Sequence, residues 1–119
     1  MTIYNYNISG MQDAGCYEDI ETNRMLTGKS NDNIADARPK QCRIFCEGFK
    51  YFAVENTNQC FCGNHLSHLN KKPESECDKP CPADNKRKCG GLNRLNLYRT
   101  EPGILQVTYK SNTILLWKF

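Results

Sequence analysis

Cys42-Arg43-Ile44-Phe45-Cys46 and Cys60-Phe61-Cys62-Gly63-Asn64 carry two pairs of thiols at two different periods, and that difference decides the fold. Cys42 and Cys46 stand four residues apart, within a stripe of apolar or thiol side chains at Cys42, Phe45, Cys46 and Phe49 that marks the buried face of an amphipathic helix. Asp36 is placed to cap this helix, Pro39 falls in its first turn and Gly48 helps to end it. Cys60 and Cys62 stand two apart, so in a strand they share one face while Phe61 takes the other. Their strand follows Tyr51-Phe52-Ala53-Val54-Glu55, a β-favouring run, across the polar turn Asn56-Thr57-Asn58-Gln59, which reads as a hairpin. Two thiols on a helix face and two on a strand face would fasten helix to sheet as a pair of rungs, with crossed and uncrossed pairings both allowed. Phe45, Phe49 and Phe52 are expected in the core.

Working outward, four more cysteines (Cys16, Cys77, Cys81 and Cys89) complete a set of eight, an even count at clustered spacings that reads as a four-disulfide framework. A chain of 119 residues holds one domain plus short flanks, and a core of that size gains much from covalent help. Residues 13–99 are read as the domain, with 1–12 and 100–119 as flanks. The cross-links place it in a secreted or lumenal compartment, extracellular or at the cell surface. The N-terminus has neither the basic start nor the apolar run of a signal peptide, so the chain is expected to be a piece of a longer secreted or membrane-anchored protein. Ile114-Leu115-Leu116-Trp117 is too short to insert in a membrane, and any anchor is expected elsewhere. Asn7-Ile8-Ser9 makes Asn7 a candidate glycosylation site. Gly15-Cys16-Tyr17-Glu18-Asp19 reads as a strand entering a polar loop. Residues 27–36 show no periodicity, 66–88 read as Pro- and Lys-rich loop, and 93–98 as the last strand of the domain. The tail reads either as an added hairpin, turning at Ser111-Asn112, or as the start of a further segment.

Several chemistries are disfavoured. A net charge of +3 is weak, and its two basic clusters, Lys71-Lys72 and Lys86-Arg87-Lys88, fall in stretches that read as loops, where a solvated face explains them, so no nucleic acid partner is expected. Structural zinc sites favour Cys-x2-Cys knuckles, whereas these spacings are x3, x1 and x3, so no metal is expected. An even count leaves no spare thiol nucleophile, and His65 and His68 share a loop with no nucleophile beside them. Glu18-Asp19 and Glu74 with Glu76 lie in loops, and so small a domain is poorly able to hold two carboxyls across a deep cleft. No catalytic residue and no cofactor are expected. Binding remains. Sugars are held by an aromatic ring against the pyranose face, with amide and acid groups on the hydroxyls, which makes Tyr17 with Asp19, Tyr51, Phe61 with Asn64, and Asn93 the candidate contacts. Each of those aromatics is equally readable as core.

Gly15-Cys16-Tyr17 with Asp19, Arg24 and Leu26, then Cys42-x-x-x-Cys46, Phe52-Ala53-Val54, Cys60-Phe61-Cys62-Gly63-Asn64, Cys77-x-x-x-Cys81 and Cys89-Gly90-Gly91-Leu92-Asn93-Arg94-Leu95-Asn96-Leu97-Tyr98 together resemble a WSC domain. Asp13 stands where the family usually has an aromatic, and Arg38-Pro39 where it has a polar cap. The resemblance implies a small disulfide-rich α+β fold, one main helix packed on a twisted antiparallel sheet, similar to PAN/apple modules. It also implies the pairing Cys16 with Cys77, Cys42 with Cys60, Cys46 with Cys62 and Cys81 with Cys89. The family is described as a carbohydrate-binding module in fungal cell-wall sensors, which implies a carbohydrate or glycoprotein partner. In Kremen-type receptors such a domain packs among neighbouring extracellular modules, and in some glycosyltransferases and sulfotransferases it sits beside a catalytic domain. These imply the alternative, a structural or protein-binding role.

Overall fold

A computed structural model describes residues 11–34 and 38–100 with their side chains, and residues 3–9, 103–109 and 112–118 as backbone. In chain order the elements are β1 (Ile3–Ser9), β2 (Gln12–Glu18), β3 (Lys29–Asn31), α1 (Pro39–Phe45), β4 (Tyr51–Glu55) and β5 (Gln59–Gly63). After a 3-10 turn at Glu74–Cys77 come β6 (Pro80–Cys81), β7 (Asp84–Lys88), β8 (Arg94–Arg99), β9 (Gly103–Tyr109) and β10 (Asn112–Lys118). The main sheet is antiparallel with strand order β2-β8-β4-β5-β3 and one helix packed on it, a small disulfide-rich α+β domain.

The register of the central hairpin sets both faces of this sheet. Phe52 stands opposite Cys62 and Val54 opposite Cys60, so these four share the face that α1 covers, while Ala53 and Phe61 pair on the other. Under α1, Cys42–Cys60 and Cys46–Cys62 form two uncrossed rungs, and Tyr98 lies parallel to Phe52 with ring centroids 5.0 Å apart. Cys16–Cys77 ties β2 to the 3-10 turn, and Cys81–Cys89 closes the small hairpin β6–β7. On the far face Ala53, Phe61, Leu95 and Leu97 pack beneath Met25 and Leu26, which come from the loop after β2. The sheet is therefore sandwiched between a helix and a loop.

The structure corrects several sequence expectations. The helix stops at Phe45, short of Gly48: Cys46 is its C-cap, with its N–H donating to the Cys42 carbonyl at 2.9 Å, and Gly48 turns the chain with φ +96°. Phe45 and Phe49 consequently lie half-buried at the rim of the core instead of inside it, whereas Phe52 is fully buried. Arg38 occupies the N-cap without a side-chain cap bond, Pro39 is the first helical residue, and Asp36 lies outside the described residues. The segment 27–36, without periodicity, contains the edge strand β3. An edge strand exposed to water on both faces needs only the backbone of β5, and leaves no apolar pattern to read. The segment 66–88, read as loop, contains the 3-10 turn and β6–β7, equally poor in apolar residues.

Beyond the domain, β9 and β10 form a hairpin, and β1 pairs with β9 to complete a separate three-stranded sheet. Asn7 falls in β1, and its side chain, like the others of this sheet, lies outside the described residues.

Candidate functional site: a polar cleft over a buried ion cluster

As β2 ends, the chain turns across the far face of the sheet, and one carboxylate holds that turn. Asp19 is 1 % exposed; its oxygens accept from the Met25 N–H at 2.7 Å and from Arg24 Nη1 at 2.8 Å. Its own N–H donates to the Asn93 carbonyl at 3.0 Å. Arg24 reaches on to Glu55 Oε2 at 3.5 Å, and its guanidinium lies over the Phe61 ring, 4.7 Å from the centroid. Glu55, on β4, is 2 % exposed, and its Oε1 has no hydrogen-bond partner among the described residues.

Two acids and one base in so dry a place cannot all be charged cheaply. Burial, reinforced by the neighbouring Asp19 carboxylate, pushes the Glu55 carboxyl up from 4.5 to about 9 against the pull of Arg24. Glu55 is therefore neutral at pH 7. A carboxyl raised in the folded state favours folding most where both states are protonated, below pH 4.5, and the advantage is lost as pH climbs towards about 9. Glu55→Gln, which fixes the neutral form, is expected to melt close to wild type at pH 5 and progressively above it at pH 7 and 9. Parallel melting curves at all three pH values would contradict a neutral Glu55.

Above this cluster opens a cleft of about 360 Å³, lined by Glu21, Arg24, Thr27, Lys29, Ser30, Asp32 and Phe61, with Leu26 and Gly28. Gly28 lets the wall approach the sheet: a Cβ there would sit 2.5 Å from Phe49 Cε1, and its N–H donates to the Cys62 carbonyl at 2.8 Å. Lys29 is held back from the opening, its Nζ 4.1 Å from the Phe45 ring centroid and donating to the Phe45 carbonyl at 3.1 Å. Arg24 is likewise committed to Asp19. The cleft thus presents the carboxylates of Glu21 and Asp32 and the hydroxyls of Thr27 and Ser30, around a floor of guanidinium and ring.

Of the six candidate contacts read from the sequence, Phe61 alone lines this cleft, and at 4 % exposure it is a floor residue. Asp19 lies beneath it as a structural anchor. Tyr17 is half-buried on β2, its hydroxyl donating to the Ala14 carbonyl at 2.9 Å with Lys71 Nζ 5.4 Å from its ring centroid. Tyr51 packs half-buried against the far-face core. Asn64 is exposed and accepts from the Lys50 N–H at 2.9 Å, and Asn93 makes a turn with φ +56°. The structure does not gather these residues into one site. The cleft residues that the sequence did not single out are Glu21, in the turn after β2, and Thr27 to Asp32, in the aperiodic segment. An available signal was its density of short polar side chains next to a strand that carries two framework cysteines. The sulfurs of Cys42, Cys46 and Cys60 lie close enough together to suggest a metal site, but all three are bonded in disulfides and offer no thiolate.

A four-disulfide scaffold with an open polar cleft defines a small module of the extracellular type. The WSC domain family matches residues 14–91, and the chain belongs to that family of non-catalytic modules. It is 39 % identical over 92 residues to a WSC domain-containing protein of Arthroderma benhamiae, covering 76 % of this chain and 13 % of that protein. It is 32 % identical over 97 residues to Xylosyltransferase oxt of Drosophila melanogaster (79 % and 11 %) and 30 % identical over 107 residues to Kremen protein 1 of Rattus norvegicus (87 % and 22 %). The chain spans less than a quarter of the length of each of these three. No helix among the described residues is long and apolar enough to cross a membrane.

Proposed function

We propose that this domain is a non-catalytic, extracellular carbohydrate-binding module whose ligand lies in the cleft between Glu21 and Asp32. The observation that carries this reading is the pairing of free acceptors and hydroxyls around an aromatic and guanidinium floor. Each sugar hydroxyl both donates and accepts, and carboxylates beside Thr and Ser hydroxyls answer both needs. The volume falls at the small end of the ~300–1,000 Å³ typical of small-molecule sites, and suits a short stretch of glycan. A relative named as a xylosyltransferase carries the same domain in a protein that, by name, handles sugar.

The test is retention of the oxidised monomer, all eight thiols consumed by mass, on insoluble β-glucan, chitin and cellulose and on a mammalian-type glycan array. Glu21→Ala with Asp32→Ala leaves the core untouched and removes two charged acceptors, so binding is expected to weaken by about tenfold or more with the melting temperature unchanged. Indifference to every glycan by a folded monomer would sink the reading.

A second reading has its own support. Ile20, Leu69 and Leu92 are 38 %, 61 % and 69 % exposed. Backbone bonds from Glu18 to Asn70 and from Asp19 to Asn93 bring their three segments side by side. Exposed apolar side chains on adjoining segments suit a protein contact within a larger ectodomain, and relatives many times longer than this chain supply the setting.

A further inference from the structure

Outside the cleft, charge concentrates on the hairpin β6–β7. Between Pro80 and Lys88 stand Lys86, Arg87 and Lys88 against one acid, Asp84, so this hairpin holds +2 of the chain's formal +3. Read as sequence, these residues are a solvated loop. In the structure they form a strand fixed at its base: Cys81–Cys89 closes the hairpin with Cα atoms 4.9 Å apart. The Cys89 N–H donates to the Lys79 carbonyl at 2.7 Å, and the Lys79 N–H to the Gly90 carbonyl at 3.0 Å.

The three cations differ in what surrounds them. Arg87 approaches Asp84 at 4.0 Å and lies within electrostatic reach of the Tyr98 hydroxyl, beside Asp13 and Glu74. Lys86, whose N–H donates to Asp84 Oδ1 at 3.1 Å, and Lys88 are both exposed, and neither ammonium has an ion-pair or hydrogen-bond partner among the described residues. Two residues of strand separate their Cα atoms by roughly 7 Å. The domain therefore holds out two unneutralised ammonium groups on a covalently fixed support, where little backbone freedom is lost on binding.

We infer that Lys86 and Lys88 form a second binding site, for a sulfated polysaccharide. A disulfide framework belongs to compartments where glycans are the abundant polyanions. The strand Asp84–Lys88 has no aromatic on which a nucleic acid base would stack and no apolar side chain to enter a bilayer. A single exposed ion pair is worth under about 1 kcal/mol, so the affinity comes from repeated sulfates re-engaging the site along one polymer, and it falls with salt.

The test is binding of the intact oxidised chain to immobilised heparin at about 0.05 M and about 0.3 M NaCl, a range across which screening roughly doubles or more. Wild type is expected to bind at the lower salt and to weaken steeply at the higher. Lys86→Ser with Lys88→Ser is expected to weaken binding about tenfold, and Lys40→Ser with Lys50→Ser, the same change of charge elsewhere, by less than about twofold. Absence of wild-type binding at low salt overturns the inference, as does equal weakening in both pairs, which would show only net charge. Competition by single-stranded DNA as strong as by heparin at equal charge would overturn the assignment to polysaccharide.

Discussion

Cys16→Ala with Cys77→Ala will destabilise the domain by about 4 kcal/mol, more than removal of either rung beneath the helix. This bond joins residues 61 apart, and no other disulfide bridges the two ends of that loop. The rungs behave differently because they are neighbours. Cys42–Cys60 and Cys46–Cys62 close loops of 18 and 16 residues, each worth roughly 3 kcal/mol alone. With one rung intact, however, the second closes only the few residues between them, so deleting a single rung is expected to cost about 2 kcal/mol and deleting both about 5 kcal/mol, somewhat more than twice that. Denaturant unfolding of the three oxidised variants, compared at constant m-value, checks the order. An equal loss from Cys16/Cys77 and from Cys42/Cys60 would show that strain or packing, and not chain entropy, sets the contribution of these bonds. For a domain of this size the larger loss is a big share of a total stability of roughly 5–10 kcal/mol.

The helix and hairpin were legible because thiols at spacings of four and two report two different backbone periods, and because opposing them fastens helix to sheet; crossed and uncrossed rungs stayed open on geometry, and the family resemblance implied the uncrossed set. The observed rungs are the uncrossed ones, with Phe52 and Val54 in register against Cys62 and Cys60. Periodicity also placed Phe61 on the face away from the thiols, but gave no hint that this face is covered. Its cover is a loop, and Met25 and Leu26 are too few to make a pattern. The same omission turned Asp19 into a candidate sugar contact: an acid between a strand and a polar loop looks solvated until Arg24 and the Met25 N–H are seen to enclose it. The cleft was illegible for a further reason. Its walls include β3, an edge strand of three residues, all polar, held by backbone bonds that any sequence can make.

Arg24→Ala is expected to lower stability by about 3 kcal/mol, the second large effect, because it removes the cation that pairs the buried acid groups. The loss stays near the lower end of what breaking a buried pair costs. Glu55 is already neutral at pH 7, and Asp19 keeps the Met25 N–H, so one buried charge loses one of its partners. Arg24→Lys should recover only part of the loss, since an ammonium cannot hold Asp19, approach Glu55 and lie flat on Phe61 at once. Glu55→Gln in the Arg24→Ala background should not rescue it, because the charge left in need of a partner is that of Asp19; Asp19→Asn should. Rescue by Glu55→Gln instead would place the ionised carboxyl on Glu55 and invert the assignment. Chemical denaturation of the four variants at pH 7 distinguishes the two. Since the Arg24 guanidinium is also part of the cleft floor, loss of glycan binding in Arg24→Ala cannot separate a lost contact from a collapsed floor. Glu21 and Asp32, exposed at the wall and uninvolved in the buried cluster's hydrogen bonds, make that separation possible.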